Sequence, residues 1–155
     1  MVHFSRRYWF AASHKLYAEE MTLEENRRVF GKCANTHGHG HNYQVWVTVV
    51  GPIDRETGMC VDMVALDGLV FDRVVSRYDH RYLNLDVEDY VDLVPTGENI
   101  ARRVWEALEG RIPSGATLER VRVIETRDNA FEYVGVSAVH DSTGSPRTAG
   151  QGRRE

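Results

Sequence analysis

The sequence predicts an α+β fold: a four-stranded antiparallel sheet in the order ββααββ with two helices on one face. Three observations carry this. Strand-type patterning occupies both ends of the chain, two capped stretches with helical apolar spacing lie between them, and the last two strands are joined only by Arg127-Asp128-Asn129. Strand pairs at both ends favour antiparallel pairing, and helices gathered in the middle would cover one sheet face.

Each element has a local reason. Val2 to Ala12 is rich in aromatics and free of Gly and Pro, which reads as a strand. Thr22-Leu23-Glu24-Glu25 fits a capping box and Gly31 is a natural stop, so a short helix is expected between them. Asn42 to Ile53 alternates Tyr43, Val45, Val47 and Val49 with Gln44, Trp46, Thr48 and Val50, a second strand. Asp62 can cap a helix from Met63 to about Arg77, with Met63, Leu66, Val70 and Val74 on its inner face. Thr96 can cap another that ends near Gly110 and buries Ile100, Val104 and Leu108. Leu118 to Thr126 and Ala130 to His140 complete the sheet. Its two edges, rich in Val and aromatics, need partners, so an oligomer is expected.

Composition narrows the function. The chain has 155 residues, 42% hydrophobic and 27% charged, enough for one core: a single domain over 1–141 followed by a disordered tail over 142–155. That tail is polar and Gly/Pro-rich and carries Arg147, Arg153 and Arg154. No apolar run of about 18 residues exists for a membrane span, and no signal peptide is readable. Two cysteines, Cys33 and Cys60, fit a reducing, cytoplasmic setting. A net charge of −4 argues against a general nucleic-acid binder.

The seven histidines stand out, because His37, His39 and His41 fall within five residues. Residues two apart on an extended chain project to the same side, so a pair of these can meet at one ion, and spacing leaves open which pair. His14, at the end of the first strand, is the best third ligand. Three neutral histidines with an open fourth position describe a catalytic zinc site. Cys33, six residues before His39, is either a base or nucleophile with a lowered pKa or a fourth zinc ligand. Cys60 reads as a small buried side chain. Asp79-His80 could form a proton relay or an ordinary polar contact. Glu125 has the parity of Val121 and Val123, so it points to the apolar face, where it needs an arginine or a ligand with N–H donors. Glu98, in a helix first turn, suits the helix dipole.

Five ordered motifs resemble the 6-pyruvoyl-tetrahydropterin synthase family, which includes the 6-carboxytetrahydropterin synthases of queuosine and deazapurine biosynthesis. F-x-A-x-H-x-L matches Phe10 to Leu16, and a cysteine followed by H-G-H-N-Y matches Cys33 and His39 to Tyr43. D-H-x-x-L-N matches Asp79 to Asn84, P-T-x-E-N matches Pro95 to Asn99, and V-x-E-T-x-x-N matches Val123 to Asn129. The resemblance implies the tunnelling fold (T-fold), in which subunit sheets join edge to edge into a barrel and homohexamers are usual. It implies a zinc-dependent lyase that eliminates triphosphate from 7,8-dihydroneopterin triphosphate. His14, His39 and His41 would hold Zn2+, Cys33 would be the catalytic base, and Asp79 with His80 the relay, contributed by a neighbouring subunit. Glu125 would anchor the pterin with help from Thr96 and Glu98, and Mg2+ would serve the triphosphate. The alternative readings are a 6-carboxytetrahydropterin synthase and a catalytically silent zinc- or pterin-binding protein. Arg27, Arg28 and Lys32 are candidates for the triphosphate by proximity.

Overall fold

The structure, a computed structural model, describes residues 1–136. The last expected strand ends at Tyr133, short of the expected His140; its residues 137–140, and the tail over 142–155, lie outside the described residues. In chain order the elements are β1 (Val2–His14), α1 (Leu23–Phe30), β2 (His39–Gly51), α2 (Met63–Val70), α3 (Ser76–Tyr78), β3 (Arg81–Tyr82), α4 (Leu83–Asp86), α5 (Gly97–Leu108), β4 (Thr117–Ile124) and β5 (Ala130–Tyr133).

The long β1–β2 pair organises the sheet. These strands run antiparallel in unbroken register from Val2 opposite Gly51 to His14 opposite His39. β4 pairs antiparallel with β2, and β5 with β4. The sheet is five-stranded and mixed, in the order β3-β1-β2-β4-β5, rather than four-stranded and wholly antiparallel. The extra strand, β3, runs parallel to β1 at Ala12 and Ser13. Two residues carry no readable periodicity. The contact is set instead by the His80 N–H, which donates to the Ala11 carbonyl at 2.6 Å from a left-handed turn with φ 59°.

Helices cover one sheet face, as the patterning predicts. Phe10 and Ala12 of β1, Tyr43, Val45, Val47 and Val49 of β2, and Val121 and Val123 of β4 are all buried there. Asp62 caps α2 by accepting from the Val64 and Ala65 amides. The single predicted helix after Asp62 is α2, a π-helical turn over Phe71–Val75, and α3. Leu66, Val70, Val74 and Tyr78 reach the core, whereas Met63, expected on that face, is 39% exposed at the first turn. Thr96 caps α5, whose Ile100, Val104 and Leu108 are fully buried.

Gly97 explains how closely α5 approaches β5. A Cβ there would lie 2.1 Å from the Phe131 ring. Gly97→Ala is expected to cost about 2 kcal/mol through overpacking. The check is a lowered urea midpoint, with Phe131→Leu in the same chain restoring part of the loss.

Candidate metal centre and active site

Strand pairing extends past the residues that favour strands, and that extension builds the site. β1 continues beyond Ala12 to His14, and β2 begins at His39 rather than Asn42. His14 then lies opposite His39, and Ala12 opposite His41, with the pleat aiming all three imidazoles to the helix-covered face. One ring nitrogen from each of His14, His39 and His41 lies within 4.8 Å of the others, an arrangement that could hold a metal ion. His37 is exposed and outside this group.

The chemistry of the three donors fits a cation. His14 Nδ1 lies 2.7 Å from the Pro95 carbonyl and donates to it, which leaves Nε2 with its lone pair. That nitrogen faces His39 Nε2 at 3.1 Å. His41 Nε2 is buried with no hydrogen-bond partner. Burial pushes the pKa values of His14 and His41 below the ordinary imidazole value, favouring the neutral, ligating form. A dication at this point would satisfy the orphaned His41 nitrogen and would take the place of the His14–His39 contact.

Gly38 permits the arrangement. Its φ is 68°, and a Cβ there would lie 2.5 Å from the His14 carbonyl oxygen. Gly38→Ala should shift β1 away from β2 at the histidine end. The expected result is weaker metal binding together with a stability loss of about 2 kcal/mol, measured by metal titration and chemical denaturation.

Glu125 follows β4 and keeps its parity, so its carboxylate reaches the same place. Its side chain is only 12% exposed, and Oε1 lies 3.5 Å from His14 Nε2 and 3.9 Å from His41 Nε2. Among the described residues no arginine pairs with it; imidazoles and Tyr43 surround it instead. Cys33 sits half-buried in the 3-10 turn Gly31–Ala34. Its carbonyl accepts from the Leu16 amide at 2.9 Å, tying this turn to the chain just past His14. Burial and then the Glu125 charge push the Cys33 thiol up. An added positive charge beside the sulfur would act in the opposite direction.

Asp79 and His80 form a pair but do not join the three histidines. Asp79 Oδ1 accepts from the Ala11 amide at 2.8 Å, and Oδ2 lies 2.8 Å from His80 Nδ1. The Ala11 N–H, then the His80 ring, hold the Asp79 carboxyl below its usual range. His80 lines an open cleft of about 590 Å³ at the β1–β2 end, together with Ser13, Gly40, His41 and Asn42. Thr96 is placed by its neighbour Pro95 beside His14, and its hydroxyl accepts from the Asn99 amide. Glu98 is exposed in the first turn of α5, and Arg27, Arg28 and Lys32 are also exposed. Sequence reasoning missed the local parts of Tyr43 and Pro95. Tyr43 carries an ordinary strand signal, and the Pro95 contribution is a backbone carbonyl that no side-chain pattern announces.

Comparison with known proteins points to one family. A family profile described as 6-pyruvoyl tetrahydropterin synthase matches residues 3–136. The human 6-pyruvoyl tetrahydrobiopterin synthase is 44% identical over 131 residues, covering 84% of this chain and 90% of the relative. The Drosophila melanogaster protein of the same name is 40% identical, covering 84% and 78%. The solved structure of Caenorhabditis elegans 6-pyruvoyl tetrahydropterin synthase superposes with a TM-score of 0.82 at 37% identity, covering 87% of this chain and 96% of that one.

Proposed function

This chain belongs to the 6-pyruvoyl tetrahydropterin synthase family, and from that premise we propose that it eliminates triphosphate from 7,8-dihydroneopterin triphosphate as a zinc-dependent lyase. The observation that carries this reading is the meeting of three imidazoles with a largely buried carboxylate that no arginine among the described residues claims. The imidazoles suit a metal, and the carboxylate suits the paired N–H donors of a pterin's 2-amino-pyrimidinone edge.

His14, His39 and His41 would hold zinc, which when bound supplies Lewis acidity toward the substrate's side-chain oxygens and acidifies the neighbouring C–H. Glu125 accepts two N–H bonds from the pterin and fixes its depth. Thr96, on the loop that Pro95 ties to His14, and Glu98 contribute at the pterin's rim. Cys33 Sγ takes the proton from the activated carbon. Asp79 holds His80 through the Nδ1 contact, and the pair returns protons to the pterin as triphosphate departs.

Among the described residues no hydrogen bond or ion pair joins Asp79 or His80 to the three histidines, which supports a site completed by a neighbour. β1 pairs with β3 only at Ala12 and Ser13, so the rest of its outer edge can join another sheet. A barrel built through these edges, in a hexamer, brings one subunit's Asp79–His80 toward another's Cys33. Magnesium would accompany the triphosphate. Among the described residues no helix is long and apolar enough to cross a membrane.

The test is product analysis. Purified protein loaded with zinc and given 7,8-dihydroneopterin triphosphate should release triphosphate and yield 6-pyruvoyl-tetrahydropterin by mass spectrometry. The six-residue step from Cys33 to His39 and the named relatives support that product. Acetaldehyde with the 6-carboxy compound would instead place the chain in the deazapurine branch, and binding without turnover would make it a silent binder.

A further inference from the structure

Tyr43 is fully buried at the centre of this site and has no part in the roles given above. Its ring stacks on Phe10, with centroids 4.9 Å apart, and meets His41 and His14 edge-on at 5.5 and 6.0 Å. Its hydroxyl oxygen lies 3.3 Å from both nitrogens of His14. Neither nitrogen is a good acceptor for the phenolic proton. Nδ1 carries the hydrogen given to the Pro95 carbonyl, and the Nε2 lone pair points toward His39. Equal distances to the two also put the hydroxyl beside the ring carbon between them, off either lone-pair direction. A buried hydroxyl must place its proton somewhere.

The charged acceptor at this point is Glu125, whose Oε1 lies 3.5 Å from the same His14 Nε2 that the hydroxyl approaches. Gln44 pairs with Ile124 across β2 and β4, so Tyr43 and Glu125 are the next level of the same register, on the same face. We propose that Tyr43 is a positioning residue: its O–H donates to the Glu125 carboxylate and holds it in the orientation that receives the pterin edge. The arrangement links the two halves of the site. One rigid aromatic side chain touches the His14 ring on its metal-facing strand and fixes the carboxylate on the neighbouring strand. A carboxylate anchor this close to three imidazoles would otherwise be drawn to the metal rather than to substrate.

This inference rests on Glu125 being the pterin anchor, and the experiment separates the two ideas. Tyr43→Phe keeps the ring that stacks on Phe10 and removes only the oxygen. The probe is neopterin without its triphosphate, titrated by calorimetry into zinc-free protein, alongside zinc titration and steady-state kinetics of the loaded enzyme. The expected result is neopterin affinity and KM both weakened about tenfold, as for loss of one hydrogen bond to a charged group. The kcat should stay within about threefold, with zinc affinity unchanged. In a Glu125→Gln background Tyr43→Phe should add little, because the charged acceptor is already gone. Unchanged neopterin affinity in Tyr43→Phe, with Glu125→Gln weakened, overturns the positioning role alone. Unchanged affinity in Glu125→Gln overturns the anchor itself. A loss confined to zinc affinity would assign Tyr43 to His14 instead, and that too overturns the proposal. Thermal unfolding of the zinc-free variant should match wild type, and Tyr43→Leu supplies the disrupted-packing comparison that should not match it.

Discussion

His41→Ala is expected to strip the metal centre and abolish turnover together. The argument begins with the orphaned Nε2 of His41, which is buried without a partner although burial disfavours such an atom. Removing the ring leaves His14 and His39, and two imidazoles with no further protein ligand do not make a stable zinc site. Loss of a mere outer partner of a metal ligand costs about 10- to 100-fold in affinity, so loss of the ligand itself should exceed that range. The fold should survive, because the hydrophobic core is built from Phe10, Tyr43 and the residues beyond them rather than from His41. Zinc content after dialysis and triphosphate release are the two readouts, and both should fall to background. His37→Ala serves as the control, since that exposed side chain lies outside the group. A His41→Ala protein that keeps one tightly held zinc, with His37→Ala losing it, would reverse the assignment.

How much of this was legible in the sequence depends on what kind of interaction forms each part. Alternation exposed the inner face of β2, and capping side chains located the starts of α1, α2 and α5, because both signals are local. The parity of Glu125 with Val121 and Val123 correctly announced a carboxylate on the buried face. Strand ends were less visible. His14, Ser13 and Gly40 have no strong strand preference, and they are extended because each has a cross-strand partner. That cooperative extension is what converts three separated histidines into one group. β3 was invisible for a related reason: two residues are held by a backbone bond from His80 to Ala11, which carries no side-chain signature. Cys33 shows a different limit. Its proximity to the histidines could be guessed from spacing, but the direction of its pKa is set by burial and then by the Glu125 charge, both of which arise only through the fold.

Cys33→Ala is expected to cut kcat about a thousandfold, within the range for removing a positioned general base, while leaving zinc bound. The separation between those two outcomes decides what the thiol does. As a fourth ligand, Cys33 would carry part of the zinc affinity, and its removal would show first in metal titration. As a base it needs only to be ionised and near the substrate, and its removal shows in the rate. The protein's own groups hold the thiol protonated, through burial and then through the negative Glu125 side chain. The base form is the thiolate, so activity should rise with pH through the Cys33 ionisation, and that ascending limb should disappear in Cys33→Ala. Glu125→Gln removes a negative charge near the thiol, which makes the thiolate easier to form. The ascending limb of kcat should therefore move to lower pH in that variant even though its KM rises. A limb that moves upward, or stays in place, would mean that Glu125 does not set the Cys33 ionisation. A Cys33→Ala enzyme with full turnover would remove the thiol from the reaction altogether.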